Sequence, residues 1–165
     1  MHGTPGFSAT PAVIEASSDV TVPVRPPEAY AALSDLRHAD WLPGVNKLRH
    51  IGGPPQGVGA RYEVEAEVAG RSFSGVLACT EDLPPERTVM TIEDGLDLTI
   101  TATARPAGRG TRVMLTVRYS VGGGIAGRAL ERATAGLARR EVARAMERFA
   151  ATFTRAAPTR VRAGT

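Results

Sequence analysis

The sequence contains few cysteine, lysine and histidine residues, three types that often carry catalysis or metal binding. Cys79 is the only cysteine, which excludes an internal disulfide bond and a zinc site built from several cysteines. Lys47 is the only lysine and lies among polar residues, which disfavours a Schiff-base mechanism. His38 and His50 are well separated and have no acidic or cysteine partners at metal-ligand spacing. We therefore expect no metal and no other cofactor.

Long hydrophobic runs are also missing. No apolar run approaches the roughly 20 residues that span a bilayer, and the first residues lack the basic and apolar segments of a signal peptide. We therefore expect no stable membrane insertion. A single cysteine fits a reducing compartment, so we expect a cytoplasmic location.

The charge balance is basic but carries no nucleic-acid signature. The 165 residues have a net charge of +3, and many of the arginines lie in the last third of the chain. Few aromatic residues are interleaved with these arginines, and no motif of a known nucleic-acid module is present. We expect no nucleic-acid partner, and the sequence gives no signal for a particular oligomeric state.

The chain divides into one domain and two flanking segments. Residues 1–12, rich in Gly, Pro, Ser and Thr, predict a disordered leader, and residues 156–165 predict a disordered tail. Residues 13–155 have the length of a single domain. It opens with a strand in which Ile14, Ala16, Val20 and Val22 share one face, and Pro26 and Pro27 then lead into two short helical segments.

From about residue 45 to residue 121 the pattern alternates with the period of β-strands. Gly70–Arg71 and Asp94–Gly95 predict tight turns between neighbouring strands. The alternation predicts one almost wholly apolar face of the sheet. The positions expected on that face are Tyr62, Val64, Ala66, Val68, Phe73, Gly75, Leu77, Cys79, Leu96, Leu98, Ile100, Val113, Leu115, Val117 and Tyr119.

The last third of the domain predicts one long amphipathic helix, from Ile125 to about Arg155. Its expected buried stripe consists of Leu130, Ala133, Leu137, Val142, Met146, Phe149 and Phe153. The first half of this helix is crowded with alanine and glycine. Because glycine inside a helix costs roughly 1 kcal/mol relative to alanine, Gly136 suggests a need for space beside the helix. The alternative is that the alanines reflect composition alone.

This order of elements, together with particular sequence stretches, resembles the START-like helix-grip superfamily, also called SRPBCC. Its members include the polyketide cyclase/dehydrases and the birch-pollen allergen. The similar stretches together cover about residues 13–155. They are VTVPVRPPEAY from Val20 to Tyr30, ALSDLRHADWLPGV from Ala32 to Val45, and the shorter segments Gly57–Tyr62, Glu81–Arg87 and Gly110–Val113.

The resemblance implies an α+β fold in which a curved, seven-stranded antiparallel sheet wraps around the long C-terminal helix. Two short helices would lie between strands 1 and 2, and a cavity between sheet and helix. Members of the superfamily carry lipids, sterols, quinones and hormones, or guide cyclisation and dehydration of polyketides. The segments Leu42–Val45, Phe73–Gly75 and Gly122–Leu130 are also similar to the carbon-monoxide-dehydrogenase G-subunit branch, which implies membrane-linked or quinone-related roles.

A largely apolar cavity with few polar groups is the usual design of a small-molecule site. Tyr62 and Tyr119 are the polar candidates, because a phenol can orient a carbonyl group of a ligand. Trp41, the only tryptophan, either closes the cavity mouth or anchors the short helices. The residues predicted to contact ligand are Trp41, Tyr62, Val64, Phe73, Leu77, Leu98, Ile100, Leu115, Val117, Tyr119, Ala133 and Leu137.

These observations predict a protein that binds a hydrophobic or aromatic small molecule between its sheet and its C-terminal helix. Two versions of this function remain open. In one, the protein is an enzyme of the polyketide cyclase/dehydrase type, a lyase or isomerase in which Tyr62 or Tyr119 stabilises an enolate. In the other, it carries or senses a lipid or quinone without catalysis, in a role like that of the carbon-monoxide-dehydrogenase G-subunit.

Overall fold

A computed structural model of the protein describes residues 12–68, 71–93, 97–121 and 124–156. The side chains of residues 12, 68, 71, 121, 124–131, 133 and 155–156 also lie outside the description. The predicted leader and tail therefore fall almost wholly outside the described residues. So do the residues of the predicted turns at positions 70 and 94–95.

Seven strands form a single curved sheet in which every neighbouring pair is antiparallel. The spatial order is β1-β7-β6-β5-β4-β3-β2, so the first strand closes the sheet beside the last. This confirms the predicted seven-stranded antiparallel sheet. The strands are β1 (Ala12–Val22), β2 (Val45–Gly52), β3 (Arg61–Val68), β4 (Arg71–Leu83), β5 (Arg87–Ile92), β6 (Leu98–Ala107) and β7 (Gly110–Val121).

The connection between β1 and β2 contains a short α-helix and one turn of 3-10 helix. Helix α1 (Pro26–Ser34) begins with two prolines, whose fixed φ suits the first helical turn. The 3-10 turn (Leu36–His38) follows at once, and the Asp35 carboxylate accepts a hydrogen bond from the Arg37 backbone N–H at 3.1 Å. The second predicted helical segment is therefore present as a single turn of 3-10 helix.

The long C-terminal helix α2 (Gly124–Ala156) matches its predicted extent closely and packs mainly against β1 and β7. Val142, Met146 and Phe149 are buried as expected. The prediction that Leu137 is buried is wrong, because this residue is 38% exposed whereas its neighbour Ala138 is only 2% exposed. No helix among the described residues is long and apolar enough to span a membrane.

The predicted inward face of the sheet is confirmed wherever its side chains are described. Each of these residues is buried or half-buried, whereas alternate residues such as Glu65 and Glu67 are exposed. Val68 and Leu96, the remaining predicted members, lie outside the described side chains. The strand alternation therefore assigns the two faces of the sheet correctly.

Candidate functional site

An apolar cavity of about 110 Å³ lies between the sheet and the middle of α2. Its walls come from β2, β3, β4, β6 and β7, from α2, and from the loop that precedes β2. Nearly all of the lining is hydrocarbon. The residues that border the cavity are Leu42, Pro43, Val45, Leu48, Val64, Ala66, Phe73, Leu77, Leu98, Ile100, Leu115, Val117, Tyr119, Ala138, Glu141, Val142 and Ala145.

Most of the predicted contact residues meet at this cavity. The strand positions that border it as expected are Val64, Phe73, Leu77, Leu98, Ile100, Leu115, Val117 and Tyr119. Two helix positions are predicted to contact ligand, and the side chain of one of them, Ala133, is not among those that the structure describes. Leu137 is turned away from the cavity, and the walls contributed by α2 are Ala138, Glu141, Val142 and Ala145.

The two candidate tyrosines have different surroundings. The Tyr62 side chain is 1% exposed, does not border the cavity, and donates a hydrogen bond from its hydroxyl to the Pro55 carbonyl at 2.6 Å. Burial, reinforced by the charge of Asp35, raises the pKa of the Tyr62 phenol. Its proton is therefore held by the loop before β3, which leaves Tyr62 poorly placed to act on a ligand in the cavity.

Tyr119 borders the cavity, and its hydroxyl is buried without a hydrogen-bond partner among the described residues. A buried hydroxyl normally has such a partner, because leaving it unpaired costs about 1–3 kcal/mol. On β7, Tyr119 is paired with Ile14 of β1 and with Leu98 of β6. The sheet therefore holds this tyrosine at a fixed position in the cavity wall.

A second, smaller cavity of about 50 Å³ adjoins the first. Four aliphatic residues border both cavities: Leu42, Leu77, Ile100 and Leu115. Trp41 borders the smaller cavity and packs edge-to-face on Phe149, with ring centroids 5.1 Å apart. The sequence predicts that Trp41 either closes the cavity mouth or anchors the short helices to the sheet, and this ring contact is made with α2 instead.

The loop before β2 is a cavity wall that the sequence pattern does not reveal as such. Gly44 adopts a φ of +77°, and a Cβ atom there would collide with the Glu67 carbonyl oxygen. The Gly44 carbonyl in turn accepts a hydrogen bond from the Glu67 backbone N–H at 2.8 Å. The glycine thus fastens Leu42, Pro43 and Val45 against the end of β3.

A polar surface cleft of about 350 Å³ lies beside the apolar cavity, and Leu42, Val45 and Leu48 border both. Arg37, Lys47 and Arg148 also border the cleft, together with one acidic residue, Asp40. Arg37 is paired with Asp35 at 2.9 Å and Lys47 with Glu63 at 3.2 Å. Three cationic side chains therefore border the cleft, and two of them are already paired with carboxylates.

Acidic side chains close to the cavity are few. Glu141 on α2 borders it at the edge, with its side chain 33% exposed and 3.9 Å from Arg144. The carboxyl of Asp35 loses solvent, which alone would raise its pKa, but hydrogen bonds from Arg37 and His38 outweigh this and lower it. Within the part of the chain that the structure describes, no three His, Cys, Asp or Glu side chains are grouped as a metal site would require.

The profile of one protein family matches residues 13–154, which is most of the chain. That family is described as polyketide cyclase / dehydrase and lipid transport. A search among curated proteins finds no match.

Solved structures with the same architecture are numerous but distant in sequence. TTHA0849 from Thermus thermophilus is 22% identical, with a TM-score of 0.74 over 87% of this chain and 99% of that one. The ZhuI aromatase/cyclase from Streptomyces sp. R1128 is 18% identical, with a TM-score of 0.70 over 92% and 98%. A START superfamily protein from Mycobacterium smegmatis is 14% identical, with a TM-score of 0.62 over 86% and 98%. At these identities the likeness establishes the helix-grip fold.

Proposed function

Because the chain belongs to the polyketide cyclase/dehydrase and lipid transport family, we propose that it binds a hydrophobic or aromatic small molecule in the cavity between sheet and α2. The observation that carries this proposal is the cavity itself, which has an apolar wall and a buried tyrosine hydroxyl without a partner among the described residues. Apolar surface surrounds the ligand and supplies most of the binding free energy, and a few polar groups fix its orientation.

The size of the cavity limits the ligand that fits without rearrangement. Its volume of about 110 Å³ is below the range of roughly 300–1,000 Å³ found for drug-sized ligands. It is close to the volume of about 150 Å³ at which an engineered cavity binds benzene. A group the size of one aromatic ring therefore fits, whereas a polycyclic ligand requires α2 or the loop at Leu42–Val45 to move outward.

Titration of the isotope-labelled protein with 1,4-diethylbenzene, followed by NMR, tests this proposal. Saturable shifts are expected for methyl groups that border the cavity, such as those of Leu98 and Val117, and not for Leu83 on the exposed surface. Native mass spectrometry of protein taken directly from cells would identify a resident molecule. An absence of saturable shifts up to the solubility limit of the ligand would contradict the proposal.

We propose polyketide cyclase/dehydrase-type catalysis as the enzymatic form of this function. Tyr119 would donate a hydrogen bond to a ligand carbonyl and stabilise the enolate that forms when the neighbouring carbon loses a proton. Glu141 is the acidic side chain at the cavity edge and could accept that proton. Tyr119→Phe should then slow cyclisation of a poly-carbonyl substrate by about tenfold or more, and an unchanged rate would remove Tyr119 from this role.

A carrier of an amphipathic lipid is the second candidate, and the cationic cleft beside the cavity favours it. An acyl chain in the cavity would place an anionic head near Lys47 and Arg148, because Leu42, Val45 and Leu48 border both spaces. Octanoate should then bind more tightly than its methyl ester, and Arg148→Gln should reduce that difference. Equal binding of acid and ester would count against a lipid carrier. A quinone carrier like the carbon-monoxide-dehydrogenase G-subunit remains a prediction.

A further inference from the structure

Two buried hydrogen-bond donors, Tyr119 and Trp41, border adjoining cavities without partners among the described residues. We infer that the ligand carries two hydrogen-bond-accepting oxygens, one bound by the Tyr119 hydroxyl and the other by the Trp41 indole N–H. The protein would thus select oxygenated aromatic molecules, such as aryl ketones, over hydrocarbons of the same shape. This inference rests on the proposed function, because it names the chemical class of the molecule that the cavity binds.

The evidence at Trp41 is the isolation of its indole nitrogen. The residue is 5% exposed, and its Nε1 has no hydrogen-bond partner among the described residues. An indole N–H can only donate a hydrogen bond, so it needs an acceptor. The hydroxyls of Ser34 and Thr88 also border this cavity, but neither bonds the indole, and both donate to backbone carbonyls instead.

The evidence at Tyr119 is similar, although it comes from the larger cavity. Its buried hydroxyl lies in a wall made almost wholly of hydrocarbon, and Tyr119 and Glu141 are the polar side chains that border this space. Tyr62 shows the ordinary arrangement in the same core, since its hydroxyl donates to a backbone carbonyl at 2.6 Å. The protein therefore satisfies the hydroxyl of one buried tyrosine internally and leaves the other without a partner among the described residues.

The arrangement suits a single ligand with oxygens at two ends. The two cavities adjoin each other, because Leu42, Leu77, Ile100 and Leu115 border both. A ligand that reaches both Tyr119 and Trp41 would require these side chains to rotate so that the two spaces join. A site that is built to hydrogen-bond a polar group discriminates strongly against an analogue that lacks it, because its own buried groups then stay unpaired.

Three ligands of matched shape test the inference: 1,4-diacetylbenzene, 4-ethylacetophenone and 1,4-diethylbenzene. Trp41 is the only tryptophan, so its indole N–H gives a single resonance that reports directly on hydrogen bonding. We expect 1,4-diacetylbenzene to move this resonance downfield and 1,4-diethylbenzene to leave it almost unchanged. The mono-ketone should bind with intermediate affinity. This measurement uses the unaltered protein and does not depend on whether a Trp41 variant folds.

Variants then assign each donor. Tyr119→Phe should weaken binding of 1,4-diacetylbenzene roughly fivefold and leave binding of 1,4-diethylbenzene within about twofold, as expected for loss of one hydrogen bond. Trp41→Phe should act in the same direction, provided that its melting curve shows a folded protein. Tyr62→Phe is the matched control, because the Tyr62 hydroxyl donates its hydrogen bond to the Pro55 carbonyl. This variant should leave the ratio of ketone affinity to hydrocarbon affinity unchanged.

The outcomes separate this inference from the proposed function. If ketone and hydrocarbon bind alike and Tyr119→Phe affects both equally, the donors serve water or packing only and the inference is overturned, while the proposed cavity survives. If Tyr119→Phe weakens binding of 1,4-diacetylbenzene but this ligand does not move the Trp41 indole resonance, the two-point arrangement is overturned. If none of the three ligands binds saturably, the proposed function itself fails.

Discussion

The interior of the protein has two unequal regions, both covered by α2. The packed region, formed around Trp41, Met146, Phe149 and Phe153, contains a chain of edge-to-face aromatic contacts with ring centroids 5.1 Å apart. The cavity region, formed around Val64, Leu98, Val117 and Ala138, encloses the apolar void. One helix therefore fills the core near its end and leaves space near its middle.

The cause of the difference is the size of the side chains that α2 presents to the sheet. In the packed region it contributes Met146 and Phe149, which are fully buried. In the cavity region it contributes Ala138 and Ala145, which are also buried but too small to reach the opposite strands. Stability and ligand binding should therefore depend on different segments of the same helix.

The largest expected effect is on stability, in the packed region. Phe149→Ala should destabilise the protein by roughly 3–5 kcal/mol, because it removes a fully buried ring and the contacts to Trp41 and Phe153. Leu98→Ala should cost only about 2 kcal/mol, since Leu98 already borders a void and loses fewer contacts. Urea unfolding of both variants measures the difference, and equal losses would show that the two regions are packed alike.

The next effect is on binding, in the cavity region. Ala138→Leu adds three carbon atoms to a residue that borders a small cavity, so it should weaken binding of 1,4-diethylbenzene by about tenfold or more. Ala143→Leu on the same helix is the control, because Ala143 does not border the cavity. Calorimetric titration of both variants gives the comparison. Similar affinities for the two would place the ligand elsewhere.

The sequence predicts the buried face of the sheet better than that of the helix, because apolar and charged residues alternate more clearly along the strands. Along β3, apolar Tyr62, Val64 and Ala66 alternate with charged residues, so the buried face is unambiguous. Along the middle of α2, alanines occur on several faces, and the single leucine, Leu137, is exposed. The cavity wall formed by Ala138 and Ala145 is therefore not visible in the hydrophobic pattern.

Tyr62 and Tyr119 illustrate a second limit of prediction from the sequence. Tyr62 and Tyr119 have the same inward parity and are equivalent candidates in the sequence. What distinguishes them is the Pro55 carbonyl, which belongs to a loop outside the strand pattern and accepts a hydrogen bond from the Tyr62 hydroxyl. The same holds for Glu141, whose place at the cavity edge depends on the rotation of α2 about its axis. Non-local contacts of this kind leave no local sequence signal.

A smaller effect is expected at Gly136, which does not border the cavity. A Cβ atom at this position would meet nothing within 4 Å among the described residues, so the expected need for space beside this glycine is not supported. Gly136→Ala should stabilise the protein by about 0.5–1 kcal/mol through helix propensity alone. It should leave binding of 1,4-diethylbenzene unchanged. Thermal melting checks this, and a lower melting temperature would reveal a close contact at Gly136.

The smallest expected effect is a loss of stability at low pH, and it should be greatest in β2 and β3. Hydrogen bonds from Arg49 and Lys47 lower the pKa of Glu63 on β3, and a hydrogen bond from Arg61 lowers the pKa of Glu93 beyond β5. These pairs join β2 to β3, and β3 to the residue that follows β5, with Arg61 Nε 2.7 Å from Glu93 Oε2. Their contribution to stability is full above the ordinary carboxyl pKa of 4.5 and is lost as pH falls through the lowered values.

Hydrogen exchange at pH 7 and pH 3, corrected for intrinsic rates, measures this directly. Amides of β2 and β3 should lose more protection on acidification than those of β1 and β7. Because these carboxylates are exposed, the difference should be small and should shrink further in high salt. Glu93→Gln should reduce it, since that substitution removes one of the groups that titrate. A uniform loss across all four strands would mean that acid acts on the whole fold and that these ion pairs have no local effect.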